Sequence, residues 1–179
     1  QVAIGPGAKP FLMLPALALL REGDEMLYPD PGFPTYPAMA ALAGARAVPV
    51  PLVEPDGFAF DMEAFERSIG PRTRLVVLNS PANPTGGVLP EAILERIAAL
   101  AIERDFWVLS DEIYHRLNYT GRAVPSVYGL PGMRERTVVC DGFSKTYSMT
   151  GWRLGYAIAP ERVVDRLDRL LTHVVGCTA

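Results

Sequence analysis

At 179 residues the chain has the length of one ordinary domain, enough to bury a core. Its 49% hydrophobic and 21% charged residues fit a soluble globular protein, and a formal net charge of −3, spread without runs, argues against a nucleic-acid or acidic-membrane surface. No apolar stretch reaches the roughly 20 residues that span a bilayer, and Cys140 and Cys177 make no disulfide framework, so a reduced, cytoplasmic setting is expected.

In chain order, short β-branched or aromatic runs alternate with longer helical patterns, which predicts an α/β domain on a mostly parallel sheet. Seven strands are expected, near Val2–Ile4, Glu25–Tyr28, Ala45–Val50, Leu75–Asn79, Phe106–Ser110, Thr137–Asp141 and Leu154–Ala159. Helices are expected near Ala8–Leu20, Thr35–Ala43, Met62–Ser68, Pro90–Arg104 and Pro160–His173. The Pro90–Arg104 pattern is the clearest: Ile93, Leu94, Ile97, Leu100 and Ala101 share one side, opposite Glu91, Glu95 and Arg96. Pro15 should kink the first helix, since it removes a backbone donor. GARAVPVPLVEPDGF reads as a strand with a proline-rich turn, and PGFP, NSPANPTGG and GLPG as loops inside the domain. The chain opens on Gln1 and closes on HVVGCTA without terminal punctuation, so it reads as an excerpt of a longer protein.

The unusual residues fall where strands end. DPGF, NSPANPTG, DEIY and GFSK each follow an expected strand, and ligands of open α/β sheets bind beyond the carboxyl ends of the strands. Lys145, among small residues in DGFSK, would act as a nucleophile toward an aldehyde if its amine were partly desolvated in a cation-rich pocket; taken alone it reads more readily as a surface lysine, and the neighbouring motifs change that. Asp111 ends the apolar run FWVLSD, where it either pairs with a cation or caps a helix begun by DEIYHRL. Asn83 and Tyr114 can donate to a phenolate-like oxygen, or serve as a turn residue and a packed aromatic. Arg153, eight positions after Lys145, carries a fork of donors suited to a phosphate, with the Ser144 hydroxyl nearby. The small residues of GPGAKP open a helix whose N–H groups could cradle the same phosphate, though the pattern matches neither known glycine loop. Phe33 could stack on a heteroaromatic ring or join the core.

Taken together these motifs resemble the class I/II aminotransferases, the pyridoxal-5′-phosphate (PLP) enzymes of fold type I, with an aspartate-aminotransferase-like pattern. GFSKTYSMTGWRLG resembles the family's lysine signature along its whole length, and NSPANPTG, SDEIY and PGFPTY resemble its other landmarks in the family's order. The resemblance covers residues 1–179 and implies a three-layer α/β/α large domain that binds PLP. By position it implies that Lys145 forms a Schiff base with the cofactor and shuttles the substrate proton, and that Asp111 pairs with the ring nitrogen. Asn83 and Tyr114 would bond the ring's phenolic oxygen, and Phe33 would stack on the ring. Ser144, Arg153 and the backbone of Ala8 and Lys9 would hold the phosphate. One departure is Gly142, where many relatives carry serine. The implied reaction is transamination between an amino acid and a 2-oxo acid by a cytoplasmic homodimer.

The resemblance further implies an absent N-terminal segment and an absent smaller C-terminal domain bearing the carboxylate-binding arginine. The isolated stretch is then expected to be inactive and to expose apolar surface. Two alternatives keep the same residues: a PLP-dependent β-elimination, and a ligand-sensing domain of a transcription regulator. His115 and His173 have no cysteine partners at metal spacing, so no metal site is expected. Cys140, Trp107 and Trp152 read as packing residues.

Overall fold

A sheet covered on both faces needs strands that are apolar on both sides, as LVVLN and TVVC are. In the computed structural model, which describes residues 1–119 and 121–175, these strands lie at the centre of one eight-stranded sheet. Its members are β1 (Val2–Pro6), β2 (Glu25–Asp30), β3 (Arg46–Val53), β4 (Ala59–Phe60), β5 (Thr73–Asn79), β6 (Trp107–Asp111), β7 (Thr137–Gly142) and β8 (Leu154–Ile158). The order is β1-β8-β7-β6-β5-β2-β3-β4. β7, β6, β5, β2 and β3 are parallel neighbours, while β8 runs against both β7 and β1, and β4 against β3. The sheet thus has one strand more than the seven expected: β4 is two residues long, too short to show an alternation.

Five helices cover the sheet: α1 (Pro10–Leu19), α2 (Thr35–Leu42), α3 (Met62–Ser68), α4 (Glu91–Arg104) and α5 (Glu161–Val174). On one face Phe11 and Leu14 of α1, Met39 of α2, and Val163 and Leu167 of α5 share a core with Met26, Leu75, Val77, Leu109 and Val138. On the other, Phe65 of α3 and Leu94, Ile97 and Ala101 of α4 share one with Leu27, Val76, Leu78 and Val108. Consecutive residues 75 to 78 therefore alternate between the two cores, the period of a pleated strand. Truncating a wholly buried member such as Ile97 to alanine removes about 2–5 kcal/mol of stability. α1 continues through the buried Pro15, whose ring removes the donor that Phe11's carbonyl would have met.

Topology decides where the chemistry gathers. The parallel strands all end at one edge, and β1, antiparallel to β8, ends there too. Because β8 is reversed, its beginning lies at that same edge, and with it Arg153. Two expectations need correction at this edge. DEIYHRL begins no helix: residues 113–116 form a turn, in which Ile113 N–H donates to the Asp111 carboxylate at 3.3 Å. Trp152 does not pack: it ends the 3-10 turn Thr150–Trp152, which contains no buried residue, and is 63% exposed. Trp107 is half-buried beneath the Arg162 guanidinium, and Cys140 is a buried strand residue as expected. Cys177 lies outside the described residues.

Candidate active site

At the carboxyl edge of the parallel strands lies an open cavity of about 280 Å³. Ala8, Lys9, Phe33, Asn83, Asp111, Tyr114, Ser144, Lys145 and Arg153 all line it, so every candidate residue named from the sequence is brought to one place. They arrive from the ends of β1, β2, β5, β6 and β7 and the start of β8, which is why residues 145 positions apart can meet.

Asp111 is the last residue of β6 and is almost wholly buried. Burial pushes its carboxyl up to about 6, against the lowering effect of a hydrogen bond from the Tyr36 hydroxyl and one from Ile113 N–H; Asp141 and Glu112 raise it further. Tyr36 donates to Oδ2 at 2.9 Å, and burial, then the Asp111 charge, hold its own phenol well above the usual range. The phenol is therefore a fixed donor. No lysine or arginine forms an ion pair with Asp111 among the described residues, so a buried carboxylate faces the cavity without a cation.

At the other end, Ala8 and Lys9 precede α1, and the first helical turn is closed by Phe11 N–H donating to Ala8 C=O at 2.9 Å. Pro10 has no N–H to offer, so the N–H groups of Ala8 and Lys9 are the donors closest to the helix start. Arg153 reaches over this turn, donating to Pro6 C=O at 3.3 Å and to Thr150 C=O at 3.0 Å. Two glycines make the approach possible. Gly7 has φ +87°, and a Cβ there would lie 2.4 Å from the Arg153 guanidinium. A Cβ on Gly155 would lie 2.2 Å from the Gly7 backbone. Ser144 is buried, and its carbonyl accepts from the Thr150 hydroxyl at 3.0 Å.

Lys145 departs from the expectation of a partly desolvated amine: its side chain is exposed, with Nζ 5.8 Å from the centre of the Tyr114 ring. The open mouth of the cavity is the physical reason. Phe33 stands edge-on to Tyr36, with ring centres 6.0 Å apart, and Lys9 Nζ lies 5.7 Å from the Phe33 ring centre. At Gly142 a Cβ would come within 2.9 Å of Leu154 C=O, so a serine there would push against β8.

Among the lining residues not singled out from the sequence, Tyr36 and Asn79 hydrogen-bond to Asp111 through their side chains. Both stand inside motifs already noted, PGFPTY and NSPANPTG, yet their partner Asp111 is 75 and 32 positions away, and no local pattern reports that contact. Among the described residues no group of three or more His, Cys, Asp and Glu side chains is placed to hold a metal ion.

Fold and cavity together define an α/β domain with a helix start, a lysine amine and a buried carboxylate at one sheet edge. The family model "Aminotransferase class I and II" matches residues 1–179, and the chain belongs to that family. It is 41% identical over 177 residues to an aspartate aminotransferase of Musicola paradisiaca, covering 99% of this chain and 44% of the relative. It is 40% identical over 177 residues to aromatic-amino-acid aminotransferase 2 of Thermococcus litoralis, covering 99% of this chain and 46% of the relative. The crystal structure of an aromatic aminotransferase from Pyrococcus horikoshii superposes with a TM-score of 0.95 at 37% identity, covering 99% of this chain and 48% of that one. The chain therefore spans about half the length of the relatives it matches.

Proposed function

We propose that residues 1–179 are the PLP-binding large domain of an aminotransferase that exchanges an amino group between an amino acid and a 2-oxo acid. The observation that carries this reading is a buried carboxylate without a cation, sharing one cavity with a lysine amine and an arginine fork. That donor set suits PLP: Asp111 offers a negative charge to a protonated ring nitrogen, Arg153, Ser144 and the Ala8 and Lys9 N–H groups suit a phosphate, and Lys145 offers an amine. With Gly142 in place of serine, the phosphate rests more heavily on Arg153 and Ser144. When bound, the cofactor supplies an aldehyde carbon that bonds amines and an electron-poor ring that draws charge from the substrate α-carbon.

The remaining work belongs to this chain. Lys145 would hold the cofactor through Nζ and, when its amine is free, would carry the substrate's α-proton. Asp111 would hold a charge toward the cofactor's ring nitrogen, Asn83 and Tyr114 would donate to its ring oxygen, and Phe33 would pack on the ring. The full-length protein is read as a homodimer, a reading supported by the exposed Val2, Ile4, Phe143, Tyr147 and Trp152.

Borohydride trapping tests the reading. Full-length protein is mixed with PLP, reduced and digested, and a single pyridoxyl-modified peptide should carry Lys145. Lys145→Ala should give no adduct and no turnover. Labelling scattered over other lysines, or measurable transamination by Lys145→Ala, would overturn it.

A further inference from the structure

Asn79 ends β5 beside Asp111, its register partner at the end of β6. It is 4% exposed, and both ends of its amide are engaged. Nδ2 donates to Asp111 C=O at 3.0 Å, and Oδ1 accepts from Asn83 N–H at 2.7 Å. The assignment of the amide is forced, because a carbonyl can only accept and a backbone N–H can only donate. Both partners are backbone groups at the sheet margin, where strand pairing gives out. A side chain lacking either a donor or an acceptor would leave one of them buried and unmet.

The consequence lies in what the two partners carry. Asp111 and Asn83 both line the cavity, so the Asn79 amide is a strut that fixes the distance between them. The strand ladder locates Asp111 alone, because the chain leaves β5 after Asn79 and turns through SPA before reaching Asn83. A one-residue bridge of two short hydrogen bonds replaces the missing ladder. From this geometry we propose that Asn79 is a positioning residue that sets the spacing between Asp111 and Asn83, and thereby the hydrogen bond that Asn83 offers to the cofactor's ring oxygen. The proposal rests on the PLP reading above, and adds to it a residue that touches no reacting atom.

The test uses full-length protein loaded with PLP, and reads the pH midpoint of the cofactor's visible absorbance together with its dissociation constant. Binding and Lys145 trapping by wild type are established first; their failure would sink the PLP reading and this proposal with it. With wild type loaded, Asn79→Leu, which keeps the shape and removes both bonds, should raise the midpoint by about one pH unit and weaken PLP about tenfold, the loss of one well-aligned hydrogen bond to a charged oxygen. Asn83→Ala should do the same. The double variant should match Asn83→Ala, because Asn79 acts through Asn83. A midpoint unchanged in Asn79→Leu, or shifts that add in the double variant, would overturn the proposal. Should Asn79→Leu not fold, Asn79→Ser goes through the same cycle with the same criterion.

Discussion

The sheet carries a buried carboxylate at each edge, and their surroundings are opposite. Glu25 begins β2 at the amino edge and accepts from Arg46 at 2.8 Å and from Arg72 Nε at 3.2 Å. The hydrogen bond from Arg46 is the largest cause that holds its carboxyl below the usual range, against the effect of burial; Arg72 adds to it. Asp111 ends β6 at the carboxyl edge, has as little exposed surface but lies deeper in the protein, and has a phenol and an amide N–H where Glu25 has two guanidinium groups. Burial wins there, and the carboxyl rises to about 6. A carboxylate with its cations supplied from within is part of the fold. A carboxylate left without one can accept a cation from outside.

Breaking that contrast at the functional edge should give the largest effect. Asp111→Asn in the full-length enzyme should lower kcat/KM by about 10³-fold, the scale of removing one electrostatic stabiliser from a reacting centre. The same change should stabilise the cofactor-free protein. Asp111 titrates near 6 when folded against an ordinary 3.8, so its contribution is fully present below 3.8 and is lost as pH rises through 6. Above pH 6 an ionised Asp111 costs the fold up to about 3 kcal/mol, which the amide avoids. Denaturant midpoints of cofactor-free Asp111→Asn should therefore exceed wild type at pH 8 and coincide with it near pH 4.

At the structural edge the signs reverse. Replacing both Arg46 and Arg72 by alanine leaves Glu25 without its cations and should cost about 1–2 kcal/mol, with cofactor affinity unchanged. Urea unfolding and PLP titration of the same variant would separate the two outcomes. Tyr36→Phe sharpens the comparison from the other side. It removes the donor that opposes burial, so Asp111 should titrate higher still, and PLP should bind about tenfold more weakly at pH 7 by spectroscopic titration. The smallest effect is expected for Glu25→Gln, about 1 kcal/mol at pH 7 because the two arginines are exposed. Glu25 titrates below its ordinary 4.5 when folded, so the deficit should hold above that pH and vanish as pH falls through the lowered value.

Much of this site was legible in the sequence because its parts are local: each motif ends a strand, and one topology sends those ends to one edge. What was not legible depends on contacts across the sheet. Asp111 is plain in FWVLSD, but whether it caps a helix or faces a cavity is decided by Tyr36 and by the turn at 113–116. Lys145 was expected to be partly desolvated, and the openness of the cavity leaves it exposed. Trp152 has the composition of a core residue, and only its place in a 3-10 turn at the margin tells otherwise. Arg153 stands eight residues beyond Lys145, and it returns to the site only because β8 runs backwards.

The touching backbones of Gly7 and Gly155 have a consequence for inheritance. One lies between β1 and α1 and the other in β8, yet neither can gain a side chain without displacing the other or the Arg153 guanidinium. Variation at these two positions is therefore not independent. A lineage that alters one must move the other and the arginine with it, so these three distant residues should be kept or lost as a single character.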